Sequence, residues 1–91
     1  MHPEPVHQSH PEILKRLKRA EGHLRRVITM IEEGRACLDL SQQLHAVEKA
    51  ICEAKKTLIH DHIDHCLEQA VGNPAHSRET IEEFKQITKY L

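Results

Sequence analysis

The chain has 91 residues with one Tyr, one Phe and no Trp, and 13 basic against 14 acidic side chains leave a formal net charge of −1. That length allows one small domain, and so few aromatics leave a lone copy little apolar surface to bury, so association with a second copy is the expected remedy. No run of about 20 apolar residues and no secretory segment is present, and three cysteines without a CxxC pair do not make a disulfide framework; the chain reads as a reduced, soluble, cytoplasmic protein.

Residues 1–9 (MHPEPVHQS) are rich in His and Pro and lack periodicity, which predicts a flexible arm ahead of a single helical domain over residues 10–91. A first helix should begin between Ser9 and Pro11, where Ser9 and Glu12 have capping-box spacing and proline is tolerated in the first turn. Its apolar stripe is Ile13, Leu17, Ala20, Leu24, Val27 and Ile31, and Gly34 should end it. From about Cys37 to Ala70 there is no Gly or Pro, and Leu40, Leu44, Val47, Ile51, Ala54 and Leu58 recur at spacings of four and three. This predicts a long second helix, stopped by the breaker cluster Val71–Gly72–Asn73–Pro74. A third helix should run from about Arg78 to Lys89, with Ile81, Phe84, Ile87 and Thr88 inward. No strand pattern occurs. The expected class is all-α: a long antiparallel hairpin plus a short third helix, two hairpins pairing as an antiparallel four-helix bundle.

Nine histidines are the compositional outlier, and three side chains organise them. His62 and Cys66 are spaced i, i+4, which places both on one helical face and suits two-point metal binding. A core histidine beside a core cysteine is the ordinary alternative. Cys37 tilts the reading toward metal, because extending the second-helix seam lands on Cys37 at one end and on His62 and Cys66 at the other. At 1.5 Å rise per residue, Cys37 and His62 are about 37 Å apart along the axis, so one chain cannot bring them together. An antiparallel second copy can, placing Cys37 of one chain opposite His62 and Cys66 of the other, twice per dimer. Cys52 lies off that seam near the two-fold and reads as a small packing residue. His60 and His65 flank the pair; a supporting or solvated role suits both better than ligation. His23, His45 and His76 have no partner at ligand spacing. His2, His7 and His10 could supply a fourth ligand by swinging the arm inward.

Charge on the first helix is one-sided. Lys15, Arg16, Lys18, Arg19, Arg25 and Arg26 face only Glu12 and Glu21, and Lys15, Lys18, Arg19, Arg25 and Arg26 project away from the apolar stripe. Lys49, Lys55 and Lys56 extend the basic character to the second helix. A solvated surface is the ordinary reading of such a run; doubled by association, it also suits the phosphates of nucleic acid, with strong salt dependence. There is no helix-turn-helix, zinc-finger or ribbon pattern.

The stretch from Arg16 to Val71 resembles the CsoR/RcnR family of bacterial metal-sensing repressors. The resemblance rests on RxxGHL at Arg19–Leu24, the cysteine of GRACLDL, the run QQLHAVEKA and the His-x3-Cys pair; RETIEEFKQITKYL is also family-like. It implies an all-α dimer assembling into a tetramer, apo-protein bound to operator DNA, and release by metal with derepression of efflux genes. It implies Cys37, His62 and Cys66 as ligands, and Glu83 or Glu82 as the outer carboxylate. Relatives that sense nickel or cobalt are expected to use an N-terminal histidine, whose strict register here falls on Pro5, leaving His7 or His10 to serve. Copper-sensing relatives often carry a Tyr where this chain has Ala36.

Two thiolates and one imidazole suit Cu(I); a nitrogen from the arm makes the set suitable for Ni(II), Co(II) or Zn(II). The His-rich arm has no purpose in the copper version, so a nickel/cobalt effector is expected, with Cu(I) as the alternative. A formaldehyde-sensing branch, using an N-terminal amine and the cysteine of the second helix, fits less well with Cys66 and the arm. A storage or delivery bundle would use the same donors, but its core should be lined with ligands, whereas this seam is aliphatic between its ends. An enzyme is not expected: the sequence has no carboxylate pair, nucleophile–base arrangement or phosphate loop.

Overall fold

The computed structural model describes residues 10–72 and 77–91, with Cys66, residues 69–72 and Ser77 described in backbone alone. The arm with His2 and His7, the Asn73–Pro74 breaker and His76 lie outside the described residues. Among these residues the structure is wholly helical: α1 spans His10–Glu32, α2 Cys37–Gly72 and α3 Ser77–Ile87, followed by a 3₁₀ turn at Thr88–Tyr90. No helix among them is long and apolar enough to cross a membrane. The third helix was expected to reach Lys89; its last residues tighten into the 3₁₀ turn instead, where the Thr88 hydroxyl donates to the Lys85 carbonyl at 2.8 Å.

The turn between α1 and α2 is a Schellman closure. Gly34 has φ +74°, the Gly34 amide donates to the Ile31 carbonyl at 3.1 Å, and the Arg35 amide donates to the Met30 carbonyl at 3.0 Å. Glycine is needed here for its backbone, because a Cβ at this position would meet nothing within 4 Å. α2 then starts at once, with the Leu40 amide donating to the Ala36 carbonyl at 3.0 Å.

Two compact units divide the chain, one containing Pro11–Ala54 and the other Lys55–Leu91. In the first, the buried side chains are Ile13, Ala20 and Val27 on α1 and Val47 and Ala54 on α2. They recur every seven residues, a narrow seam that fits two helices joined by a tight turn. The intervening members of each predicted stripe are not buried by the chain itself: Leu17 and Leu24 are each 40% exposed and Ile31 54%, with Leu44 at 43% and Ile51 at 45%. The apolar stripe of each helix is therefore split, one row closing the hairpin and the neighbouring row left open. In the second unit Ile59 is buried, Ile63, Phe84 and Ile87 are half-buried, and Leu58 and Ile81 are exposed. Ile81 thus departs from its expected inward position.

Candidate functional site

Cys37 is the first residue of α2 and its thiol is exposed. It extends, at heptad spacing, the open row Leu44, Ile51, Leu58 on the same helix, and His62 stands four residues beyond Leu58. Cys66 falls within α2, one turn after His62; its side chain lies outside the described residues. Among the described residues, no three His, Cys, Asp or Glu side chains gather where they could hold one metal ion. Cys52 is half-buried.

His62 has a defined environment. Its Nε2 lies 2.9 Å from Glu83 Oε1, and the side chains are 19% and 55% exposed respectively. The imidazole Nε2–H donates to the carboxylate and fixes the ring's orientation, so the tautomer favoured is the one whose lone pair sits on Nδ1. That is the protonation state a metal-ligating histidine requires. The residues present therefore fit a soft or borderline metal: an accessible thiol, and an imidazole already oriented by an outer carboxylate. Of the two carboxylates that the family resemblance implies, Glu83 reaches the ring, whereas Glu82 lies 3.9 Å from Lys85 Nζ on the surface of α3. His65 is half-buried and engaged, and His10, the first residue of α1, is half-buried and engaged as well.

The structure gives the exposure of the basic residues of α1. Lys15, Lys18, Arg19, Arg25 and Arg26 are all exposed. The sole acidic contact to them among the described salt bridges is Glu21 Oε1, 3.6 Å from Arg25 Nη2, and at 78% and 67% side-chain exposure that pair is worth little. Beside this face, Arg16, Arg19 and His23 of α1 and Ala50 and Glu53 of α2 line an open hollow floored by Ala20. His23, which has no partner at ligand spacing in the sequence, donates from Nε2 to Gln43 Oε1 at 2.6 Å and so ties α1 to α2. The signal for it was the hairpin itself, since His23 and Gln43 lie about ten residues either side of the Gly34 turn.

An all-helical chain with an exposed thiol at the start of α2, an imidazole oriented by a carboxylate later on α2, and a cationic face on α1 has the donors of a metal site and a surface suited to a polyanion. Residues 9–90 match the model of the metal-sensitive transcriptional repressor family, and the chain belongs to that family. It is 38% identical over 82 residues to the copper-sensing transcriptional repressor CsoR of Bacillus subtilis (strain 168), covering 86% of this chain and 80% of that one. It is 32% identical over 77 residues to the CsoR of Mycobacterium bovis (strain BCG / Pasteur 1173P2), covering 85% of this chain and 64% of the relative. Among solved structures, it is similar to the nickel-responsive transcriptional regulator InrS, with TM-score 0.82, 28% identity and coverage of 98% and 100% of the two chains. It is also similar to the copper-sensing repressor CsoR with Cu(I) from Geobacillus thermodenitrificans NG80-2, with TM-score 0.72, 32% identity and coverage of 97% and 94%. The family is one of metal-sensitive transcriptional repressors, and the relatives matched in sequence are named as copper-sensing transcriptional repressors.

Proposed function

We propose that the metal-free protein holds operator DNA in the cytoplasm through Lys15, Lys18, Arg19, Arg25 and Arg26, and that metal bound by Cys37 of one copy with His62 and Cys66 of a second releases it. The observation that carries this reading is the open row on α2: Cys37, Leu44, Ile51 and Leu58 are all exposed in the single chain, and the donors stand at its two ends. A second copy laid antiparallel on that row buries its apolar side chains and brings opposite ends together in one step. The antiparallel dimer is then the unit that binds metal, and a dimer of dimers doubles the cationic surface. Glu83 holds His62 in the ligating tautomer, and His65 supports the same turn. Bound metal supplies crosslinks between the two copies; what the chain does is convert those crosslinks into a changed spacing of its cationic faces. Metal must favour the released conformation by the coupling free energy, typically about 1–3 kcal/mol.

Two effectors are each supported by a specific observation. Cu(I) is supported by the copper-sensing relatives and by a three-donor set of two thiolates and one imidazole. Ni(II), with Co(II), is supported by the likeness to nickel-responsive InrS and by His7 and His10, either of which makes the set four-coordinate. The relatives weaken the nickel/cobalt preference drawn from the arm alone, because the relatives matched in sequence are named for copper. The deciding experiment is fluorescence anisotropy of reduced protein on DNA from upstream of its own operon, with buffered Cu(I), Ni(II), Co(II) and Zn(II) titrated separately. Release by Cu(I) alone assigns copper; release by Ni(II) or Co(II), abolished on replacing His7 and His10, assigns the arm. Tight metal binding without DNA binding at moderate salt would overturn the repressor reading in favour of metal storage or delivery.

A further inference from the structure

Gly22 stands in the interior of α1, exposed, and nothing in the chain requires it. Gly34 is the only described residue with positive φ, so Gly22 has ordinary helical backbone. A Cβ built at Gly22 meets no atom within 4 Å, so no neighbouring helix needs the space. Glycine inside a helix is nonetheless among the least favourable residues, and alanine would serve the protomer better. The reason for glycine must lie outside the protomer.

The neighbours of Gly22 say what lies there. On a helix surface, the nearest side chains to any position are those three and four residues before and after it. For Gly22 these are Lys18, Arg19, Arg25 and Arg26, with Lys15 one further turn away, and all five are exposed. A bare patch of helix backbone is thus encircled by cations. A second copy presenting the same face does not fit such a patch, because two identical cationic rings repel. Nor is this the apolar face: Leu24 lies only two residues on, and so roughly on the opposite side of the helix. Charge complementarity selects a polyanion, and the missing Cβ selects one that comes close to the helix axis.

We propose that Gly22 is the point of closest approach of α1 to the DNA sugar–phosphate backbone, where the absent side chain lets phosphates seat within reach of the surrounding Lys and Arg. This rests on the DNA-binding reading above and adds to it a residue with no charge and no hydrogen-bonding side chain. Gly22 is a positioning residue, since its contribution is the room it leaves for Lys18, Arg19, Arg25 and Arg26 to engage.

The test is paired. Gly22→Ala and Gly22→Leu should each fold, keep the oligomeric mass of the parent by sedimentation, and melt a few degrees higher, because both add helix propensity at an exposed site. Affinity for operator DNA should move the other way. Removing one phosphate from reach costs about eightfold at 0.1 M salt, so Gly22→Leu, lifting the helix off one or two phosphates, should bind about 8- to 60-fold more weakly. Its slope of log K against log salt should shrink by about 0.9 for each phosphate no longer engaged, although no charge has been removed. Metal affinity should not change. Gly22→Leu binding DNA within twofold of the parent, at unchanged mass, would overturn the proposal while leaving the repressor reading intact. A change in mass would overturn it too, assigning Gly22 to an interface between copies. Failure of the parent itself to bind DNA would instead sink the reading beneath it.

Discussion

Truncating Leu24 to Ala should weaken association of two copies as well as the fold of one. Leu24 is 40% exposed in the single chain. Full burial of a leucine is worth about 1.5–3 kcal/mol, so covering the remaining two-fifths contributes about 0.6–1.2 kcal/mol per copy. A two-fold interface counts each residue twice, giving about 1.2–2.4 kcal/mol per dimer. At 1.4 kcal/mol per decade, the dimer dissociation constant should rise about 7- to 50-fold. Sedimentation equilibrium of reduced, metal-free protein measures this directly. Ile51→Ala on the facing row, at 45% exposure, should act similarly. Leu38 is a sharp control: it is more exposed, at 69%, but lies one residue off the row, and Leu38→Ala should change the constant less than twofold. If Leu24→Ala associates as tightly as the parent, or Leu38→Ala loosens the dimer equally, the open row is not the dimer seam.

Cys37→Ala should give a protein that binds DNA normally but is no longer released by any metal; release at the parent's metal concentration would remove Cys37 from the site. Arg19→Ala should reduce operator affinity about eightfold at 0.1 M salt and lower the salt slope by about 0.9, with metal affinity unchanged; an unchanged slope would place the phosphate contact elsewhere. Glu83→Ala should weaken metal binding about tenfold, the low end for loss of a carboxylate that orients a ligand because Glu83 is 55% exposed, and competition with a metal-binding dye that finds the affinity within twofold would deny it that role. Gly34→Ala should lower stability by about 1 kcal/mol through its left-handed backbone, since its Cβ would meet nothing; a melting temperature equal to or above the parent's would mean the turn rearranges without cost.

The helices were legible because their signals are local. A four-and-three spacing, a glycine past the last apolar residue and a Pro-containing breaker place α1 and α2 within two residues of their observed ends. The split of each stripe was not legible, because periodicity tells which face is apolar but not which row meets the chain's own hairpin and which is left for a second copy. Ile13, Ala20 and Val27 look no different in sequence from Leu17, Leu24 and Ile31. The bond between His23 and Gln43 was hidden too, because ligand spacing concerns one helix at a time, whereas this pair spans the turn. The reach of Glu83 to His62 came from family resemblance alone, as no spacing rule joins residues 62 and 83 across a helix break.

The Gly34 turn bears on how a signal could travel. Its two backbone hydrogen bonds fasten Gly34 and Arg35 to the last turn of α1, and α2 opens immediately after Ala36 with Cys37 at its tip. Between a helix end and a thiol there is hardly any slack. A pull on the sulfur would act on α2 and, across so short a turn, on α1 as well. α1 carries Arg26, Arg25 and Gly22 on its exposed side. A tight turn of this kind works as a hinge pin: it surrenders freedom where motion would be wasted and passes the remainder to the far end of the lever.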